Sequence, residues 1–147
     1  METVQASFTF DAAHRLLDYP GKCSNIHGHT YRVDVEVGLS FCTTPFIMDF
    51  SSLKTIMSEL LDPWDHALLL AEGDPLIKVL FEERISIRVL AEAPTAEYMS
   101  RFLLKSLRTK LLQRECLPRW EDPSSTQFAF AKVSVWETPT NVASSSF

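Results

Sequence analysis

The sequence has no long apolar segment and no paired cysteine motif, and both absences exclude classes of protein. No apolar run approaches the roughly 18 to 20 residues of a membrane helix, and the amino terminus lacks the basic and apolar segments of a secretory signal. The three cysteines, Cys23, Cys42 and Cys116, include no C-x-x-C pair and predict reduced thiols rather than a disulfide framework. We therefore expect a cytosolic protein without a membrane partner.

Basic clusters are also missing. The chain has 14 Lys and Arg against 19 Asp and Glu, for a net charge of -5, and no stretch could follow a phosphate backbone. Nucleic acid is therefore not an expected partner. The 147 residues contain no internal repeat or linker and are enough for a hydrophobic core, so we predict a single domain over 1–147.

Residue periodicity predicts the element order β-β-α-α-β-β with an irregular insert at 72–93. Strands are predicted over 4–14, 27–41 and 128–137, with at most one short edge strand in the tail. Helices are predicted from Asp49 or Ser51 to about 62 and from the N-cap Thr95 to about 115. The insert predicts a short helix and then a short strand. The fold class is α+β, with an antiparallel sheet covered on one face by two helices.

Three histidines can converge on one face of the first two strands. His27 and His29 are two residues apart and leave the same face of a strand, and His14 ends the neighbouring strand. Three neutral imidazoles with an open fourth position are typical of a catalytic zinc site. The alternative is a structural His-Gly-His strand with its rings hydrogen-bonded in the core. Gly28 favours a site, because it weakens a strand unless something approaches the backbone closely.

Cys23 lies on the loop before His27 and can face the same pocket. A neighbouring dication and Lys22 would favour its thiolate, which could act as a base. The sulfur could instead be a fourth zinc ligand that closes a structural site. A third interpretation is a small buried thiol, which we expect for Cys42 and Cys116.

Two further acidic positions carry candidate chemistry. Asp65 could orient His66 as a general acid or base, although a surface pair after a helix is an equally ordinary interpretation. Glu137 lies on the apolar face of its strand, where a carboxylate requires a partner. A planar ring with adjacent N–H donors would satisfy both of its oxygens; an internal salt bridge or an exposed strand end is the alternative.

The order of six motifs resembles one known family over nearly the whole chain. The motifs are FDAAHRL, KCSNIHGHTYRVDVEV, FIMDFSSLK, DPWDHALL, APTAE and VWETPT. They resemble the 6-pyruvoyl-tetrahydropterin synthase and 6-carboxy-tetrahydropterin synthase family. The resemblance implies a zinc ion (Zn²⁺) on His14, His27 and His29, with Cys23 as catalytic base. It also implies proton transfer by Asp65 and His66 and pterin binding by Glu137 and Thr95.

The spacing of Cys23 distinguishes branches of this family. Three residues separate it from His27, which resembles the bacterial 6-carboxy-tetrahydropterin branch. That branch implies a lyase acting on 7,8-dihydroneopterin triphosphate. Formation of a 6-pyruvoyl product or simple side-chain cleavage are the enzymatic alternatives, and a zinc-stabilised binding protein is the alternative without turnover. The resemblance further implies the tunnelling fold, a homohexamer closed edge to edge into barrels, and active sites between subunits.

Overall fold

The structure is a computed structural model that describes residues 2–39, 47–113 and 129–147. Its strands are β1 (Glu2–His14), β2 (His27–Leu39), β3 (Ala67–Ala71), β4 (Ile87–Leu90), β5 (Ala129–Trp136) and β6 (Val142–Ser146). Its helices are α1 (Phe50–Leu61), α2 (Leu76–Glu82) and α3 (Ala96–Gln113). The predicted loop over 118–126, the end of α3 near 115, and the predicted burial of Cys42 and Cys116 lie outside the described residues.

The six strands form one mixed sheet in the order β4-β3-β1-β2-β5-β6. The pairs β1–β2, β2–β5 and β5–β6 are antiparallel, as predicted. The prediction of a wholly antiparallel sheet is wrong, because β3 pairs with β1 in parallel and β4 pairs with β3 in parallel. A parallel pair needs a crossover connection, and the insert with α2 supplies it between β3 and β4.

Strand β3 was not predicted, because its sequence ALLLA has no alternation. Four of its five residues are buried, and a short continuous apolar run does not distinguish a central strand from a helical segment. The insert forms α2, which contacts β4 and buries none of its own residues, so the two helices predicted to cover the sheet are α1 and α3. The prediction of a short helix and then a short strand in the insert is confirmed.

The core lies between one face of the sheet and the helices α1 and α3. We call the sheet face that packs against these helices the inner face, and the opposite sheet face the outer face. Alternate residues of β1, β2 and β5 supply the inner face, and both helices contribute their apolar sides. The predicted N-caps are confirmed: the Asp49 carboxylate accepts from Ser51 N at 2.7 Å, and Thr95 Oγ1 accepts from Tyr98 N at 3.2 Å.

The sheet has β4 at one edge and β6 at the other. Across the described ranges, no helix combines the length and apolarity that crossing a membrane requires. Within the described ranges β4 and β6 are the edge strands of the sheet, and edge strands can pair with another chain.

Candidate active site

The pairing of β1 with β2 brings the three predicted histidines together. His14 is opposite His27 in the register, and His29 is opposite Ala12, two residues earlier on β1. All three rings leave the inner face at the end of the β1–β2 pair, where the apolar core stops. Local strand geometry therefore positions them.

The three imidazoles are close enough to share one ion. Their ring centroids are 4.5 to 5.1 Å apart, and one ligand atom from each lies within 4.8 Å of the others. The Nε2 atoms of His14 and His27 are 3.1 Å apart. Zn–N bonds of about 2.0 to 2.1 Å in a tetrahedral arrangement place two nitrogens roughly 3.3 Å apart, so this spacing fits a shared metal.

Backbone carbonyls orient two of the rings. His14 Nδ1 is 2.7 Å from Pro94 O, and His27 Nδ1 is 2.8 Å from Asn25 O. A carbonyl can only accept, so each Nδ1 carries the proton and each Nε2 presents a lone pair. His29 Nε2 is buried and has no hydrogen-bond partner. A buried nitrogen without a hydrogen-bond partner is unfavourable. A metal ion would accept the lone pairs of all three Nε2 atoms, those of His14, His27 and His29.

Burial favours the neutral form of two of the three histidines, His14 and His29. Loss of hydration lowers the pKa of His14, which is 2% exposed, and the neighbouring imidazoles act in the same direction. Loss of hydration also lowers the pKa of His29, while the charge of Glu137 opposes it. Both rings are therefore neutral at neutral pH, which is the form that binds metals.

Glu137 follows β5 and points its carboxylate towards the triad. Its Oε1 is 3.4 Å from His14 Nε2 and 3.5 Å from His29 Nε2. The side chain is 29% exposed, because it also borders an adjoining cavity. The Glu137 carboxylate thus lies between the histidine triad and the adjoining cavity.

The adjoining cavity has a volume of about 260 Å³ and contains four of the predicted site residues. Its walls include His14, Cys23, Thr95 and Glu137. Because Thr95 Oγ1 already accepts from Tyr98 N, its hydroxyl hydrogen is available to donate into the cavity. We call this space the triad cavity.

Cys23 lies in the wall of the triad cavity but outside the histidine cluster. Cys23 is half-buried in a short 3-10 turn, Lys22–Ser24. The backbone carbonyl of Cys23 accepts a hydrogen bond from Leu16 N at 2.8 Å. Among the described residues, the cluster that could hold a metal here consists of the three histidines alone. This arrangement favours the interpretation with an open fourth position over a site closed by sulfur.

Asp65 and His66 lie on the outer face, away from the triad cavity. His66 Nδ1 is 3.0 Å from Asp65 Oδ2, and both side chains are substantially exposed. The backbone of Asp11 fixes the pair: its N–H donates to Asp65 Oδ1 at 2.9 Å, and its carbonyl accepts from His66 N at 2.6 Å. The Asp11 hydrogen bond to Asp65 is the main reason that the pKa of Asp65 is below its ordinary value.

A second, more open cavity of about 590 Å³ lies beside this pair. Asp11, Thr30 and His66 line it on the outer face. Gly28 also lines it, and a Cβ there would be 3.3 Å from Ala12 O. The close approach inferred at Gly28 is therefore made by the backbone of β1, not by a group in the triad cavity.

Several groups that contact the histidine triad were not predicted from the sequence. Pro94 and Asn25 act through carbonyls, which every residue has, so the sequence contained no signal for them. Tyr31 was detectable, because it shares strand parity with the histidines; its hydroxyl lies 3.2 Å from His14 Nδ1. Burial raises the pKa of Tyr31, which therefore stays neutral beside the ring.

Comparisons with known proteins establish the family of the chain. A family model described as 6-pyruvoyl tetrahydropterin synthase matches residues 3–146. The 6-carboxy-5,6,7,8-tetrahydropterin synthase of Haemophilus influenzae is 31% identical over 96% of both chains, and that of Aquifex aeolicus is 27% identical over 95% of this chain and 94% of its own. The Plasmodium falciparum 6-pyruvoyl tetrahydropterin synthase structure, at 20% identity, covers 99% of this chain and 98% of its own with a TM-score of 0.71, which shows the fold. The chain belongs to the 6-pyruvoyl tetrahydropterin synthase family.

Proposed function

We propose that this protein is a 6-carboxy-5,6,7,8-tetrahydropterin synthase. It converts 7,8-dihydroneopterin triphosphate to 6-carboxy-5,6,7,8-tetrahydropterin and releases acetaldehyde and triphosphate, on the route to queuosine and related deazapurines. The observation that carries the proposal is the triad cavity, in which His14 of the histidine cluster lies beside Cys23, Thr95 and Glu137. The bacterial relatives of that name, similar over almost their whole length, support the choice of product.

The metal in this proposal is zinc, held by the Nε2 atoms of His14, His27 and His29. The buried, unpartnered nitrogen of His29 and the carbonyl-bound Nδ1 atoms of the other two rings fit such an ion. A bound zinc ion supplies Lewis-acid polarisation of substrate side-chain oxygens. Nitrogen-only ligation favours zinc over magnesium or calcium.

In this proposal, different residues of the triad cavity bind the pterin ring and remove a proton from the substrate. Glu137 accepts hydrogen bonds from adjacent N–H groups of the pterin ring, and the free hydroxyl hydrogen of Thr95 donates to a ring acceptor. Cys23, which lines the same cavity, takes a proton from the substrate side chain. This makes the protein a carbon-carbon lyase of the aldehyde-lyase type.

Proton return is assigned to Asp65 and His66 of a neighbouring subunit. Within one chain this pair faces the outer cavity, and the triad cavity opens elsewhere. A homohexamer closed through the edges β4 and β6 would bring the pair of one subunit to the cavity of the next. We place the enzyme in the cytoplasm, since a triphosphate substrate does not cross a bilayer unaided.

Product analysis tests the activity. Purified protein loaded with zinc is incubated with 7,8-dihydroneopterin triphosphate, and pterins and acetaldehyde are separated by chromatography. The proposal predicts equal amounts of 6-carboxy-tetrahydropterin and acetaldehyde. A 6-pyruvoyl product alone would identify a 6-pyruvoyl-tetrahydropterin synthase, and release of the side chain without carboxylate formation would identify a dihydropterin aldolase.

A Cys23→Ala variant separates the enzyme from a zinc-stabilised binding protein. Cys23 lies outside the histidine cluster, so the variant should keep its zinc and its thermal unfolding midpoint while turnover falls at least about a hundredfold. Metal content and circular dichroism are measured on the same sample. Simultaneous loss of zinc and of the fold would show instead that the sulfur closes a structural site.

A further inference from the structure

The proposed reaction assigns no role to one aromatic residue of the triad cavity, Tyr19. Tyr19 lies on the loop between β1 and β2, and its side chain lines the same cavity as Cys23 and Glu137. It is 49% exposed, which is high for a large aromatic residue that borders a concave site. Covering an exposed aromatic face with a flat ligand removes apolar surface from water, which favours binding.

The loop that carries Tyr19 is fixed at both ends by its own hydrogen bonds. Leu16 N donates to Cys23 O at 2.8 Å, and Tyr19 N donates to Leu16 O at 3.4 Å. Ser24 closes the far side, since its N and Oγ both donate to Gly21 O, at 3.1 and 2.8 Å. The same closed loop therefore positions both Cys23 and Tyr19.

Gly21 leaves room for the Tyr19 ring, because it has no side chain of its own. A Cβ on Gly21 would lie 2.7 Å from Tyr19 Cε1 and 3.4 Å from Cδ1. The backbone at Gly21 has φ -116° and ψ -172°, an extended conformation that any residue adopts. A Cβ at this position would therefore displace the exposed Tyr19 ring, whereas the backbone conformation itself does not call for glycine.

We propose that Tyr19 is a substrate-binding residue that stacks on the face of the pterin ring. This inference rests on the proposed function, in which Glu137 holds the ring by its edge and leaves its flat faces uncovered. Stacking of a heteroaromatic base on a side-chain ring does not depend on the substituent that the base carries. Tyr19 thereby contributes affinity for the bicyclic ring, while the side chain of the substrate extends towards Cys23.

The test measures binding of 7,8-dihydropterin, which lacks the reacting side chain, by isothermal titration calorimetry with the zinc-loaded full chain. Tyr19→Ala should weaken binding about tenfold, the usual effect of removing one stacked ring. Tyr19→Phe keeps the ring and should bind as the wild type does. Gly21→Ala, which forces the ring away, should weaken binding several-fold although Tyr19 is still present.

Steady-state kinetics provide a second measurement on the same variants. Because stacking on the ring persists throughout the reaction, Tyr19→Ala should raise KM for the triphosphate substrate by a similar factor and leave kcat nearly unchanged. Phe81→Ala is the matched control: Phe81 is 75% exposed on α2, outside the triad cavity, and its loss should change neither quantity.

The outcomes separate this inference from the proposed function. Wild-type affinity in Tyr19→Ala, with dihydropterin still bound by the wild type, would overturn the role of Tyr19 alone. Equal weakening by Tyr19→Phe and Tyr19→Ala would also overturn it, because the hydroxyl rather than the ring would then be responsible. A wild-type protein that binds no dihydropterin would overturn both the stacking and the pterin function.

Discussion

At the scale of single residues, main-chain carbonyls decide what the histidines can do. The tautomers of His14 and His27 follow from the carbonyls of Pro94 and Asn25, and burial keeps His14 and His29 neutral. The triad is therefore organised for a cation before one binds. Such preorganisation limits the conformational entropy that binding must overcome.

The position of Glu137 between the triad and the cavity leads to a prediction for Glu137→Gln. An amide offers one acceptor and one donor, so it cannot accept from two adjacent ring N–H groups. We expect dihydropterin affinity to fall by about 2 kcal/mol, roughly thirtyfold, with zinc content unchanged. Calorimetry and metal analysis measure the two quantities.

Glu97→Gln serves as the control for this variant. Glu97 also lines the triad cavity, but it is exposed on the first turn of α3, and the carboxylate that lies beside His14 and His29 is that of Glu137. Its variant should bind both zinc and dihydropterin normally. Loss of zinc from Glu137→Gln with retained pterin affinity would show that this carboxylate binds the metal instead of the ring.

At the scale of elements, one ion pair ties the end of β1 to the β3–α2 turn. Arg15 Nε and a terminal nitrogen donate to the two oxygens of Asp74, at 2.8 and 2.5 Å. Asp74 Oδ1 also accepts from Leu76 N at 2.9 Å. The Asp74 side chain is fully buried, and Arg15 directly follows His14, so this pair fixes the strand end that carries a triad residue.

Asp74→Ala should therefore destabilise the fold by about 2 kcal/mol, because Arg15 and Leu76 N lose their acceptor. Urea unfolding at neutral pH measures the loss. The control is Glu92→Ala, which breaks the exposed pair between Arg101 and Glu92 and should change the free energy of unfolding by less than about 1 kcal/mol. Equal effects would mean that the buried pair does not stabilise the strand end.

The same pair predicts a pH dependence with a defined sign. The Arg15 guanidinium holds the pKa of Asp74 below its ordinary value of 3.8. A lowered pKa in the folded state adds stability above the ordinary value and loses it as pH falls through the lowered one. The difference in unfolding free energy between wild type and Asp74→Ala should therefore be constant above about pH 5 and shrink below 3.8.

At the scale of the whole molecule, the sheet separates two groups that the proposed reaction needs together. The triad cavity opens on one side, and Asp65 and His66 lie on the outer face of the same chain. β4 and β6 are the edge strands of the described sheet, and such edges provide a means of joining subunits. The proposed enzyme is therefore complete only as an oligomer.

Mixed oligomers test this directly. Cys23→Ala and His66→Ala should each be inactive, yet co-expression in equal amounts should restore about a quarter of wild-type activity, since random assembly pairs an intact Cys23 with a neighbour's intact His66 at that frequency. Co-expression of Cys23→Ala with Glu137→Gln should give no activity beyond that of the Glu137→Gln subunits themselves, because both residues line one cavity of one chain. No recovery in the first pair would contradict a shared site.

The sequence by itself determined the features that depend on short spacings. Strand parity placed His27 and His29 on one face, side-chain caps marked the starts of α1 and α3, and the order of motifs indicated the family. These signals are local, because a strand or a helix turn imposes them within a few residues. They were sufficient for the antiparallel part of the sheet and for the residues of the triad.

Only the tertiary structure decided how distant segments meet. The parallel addition of β3 and β4, and the carbonyl of Pro94 against His14, 80 residues away, depend on contacts that no local pattern encodes. The placement of Asp65 and His66 on the outer face depends on Asp11, more than 50 residues earlier. Backbone groups are alike in every residue, so the positions at which they serve a site emerge only from the packed chain.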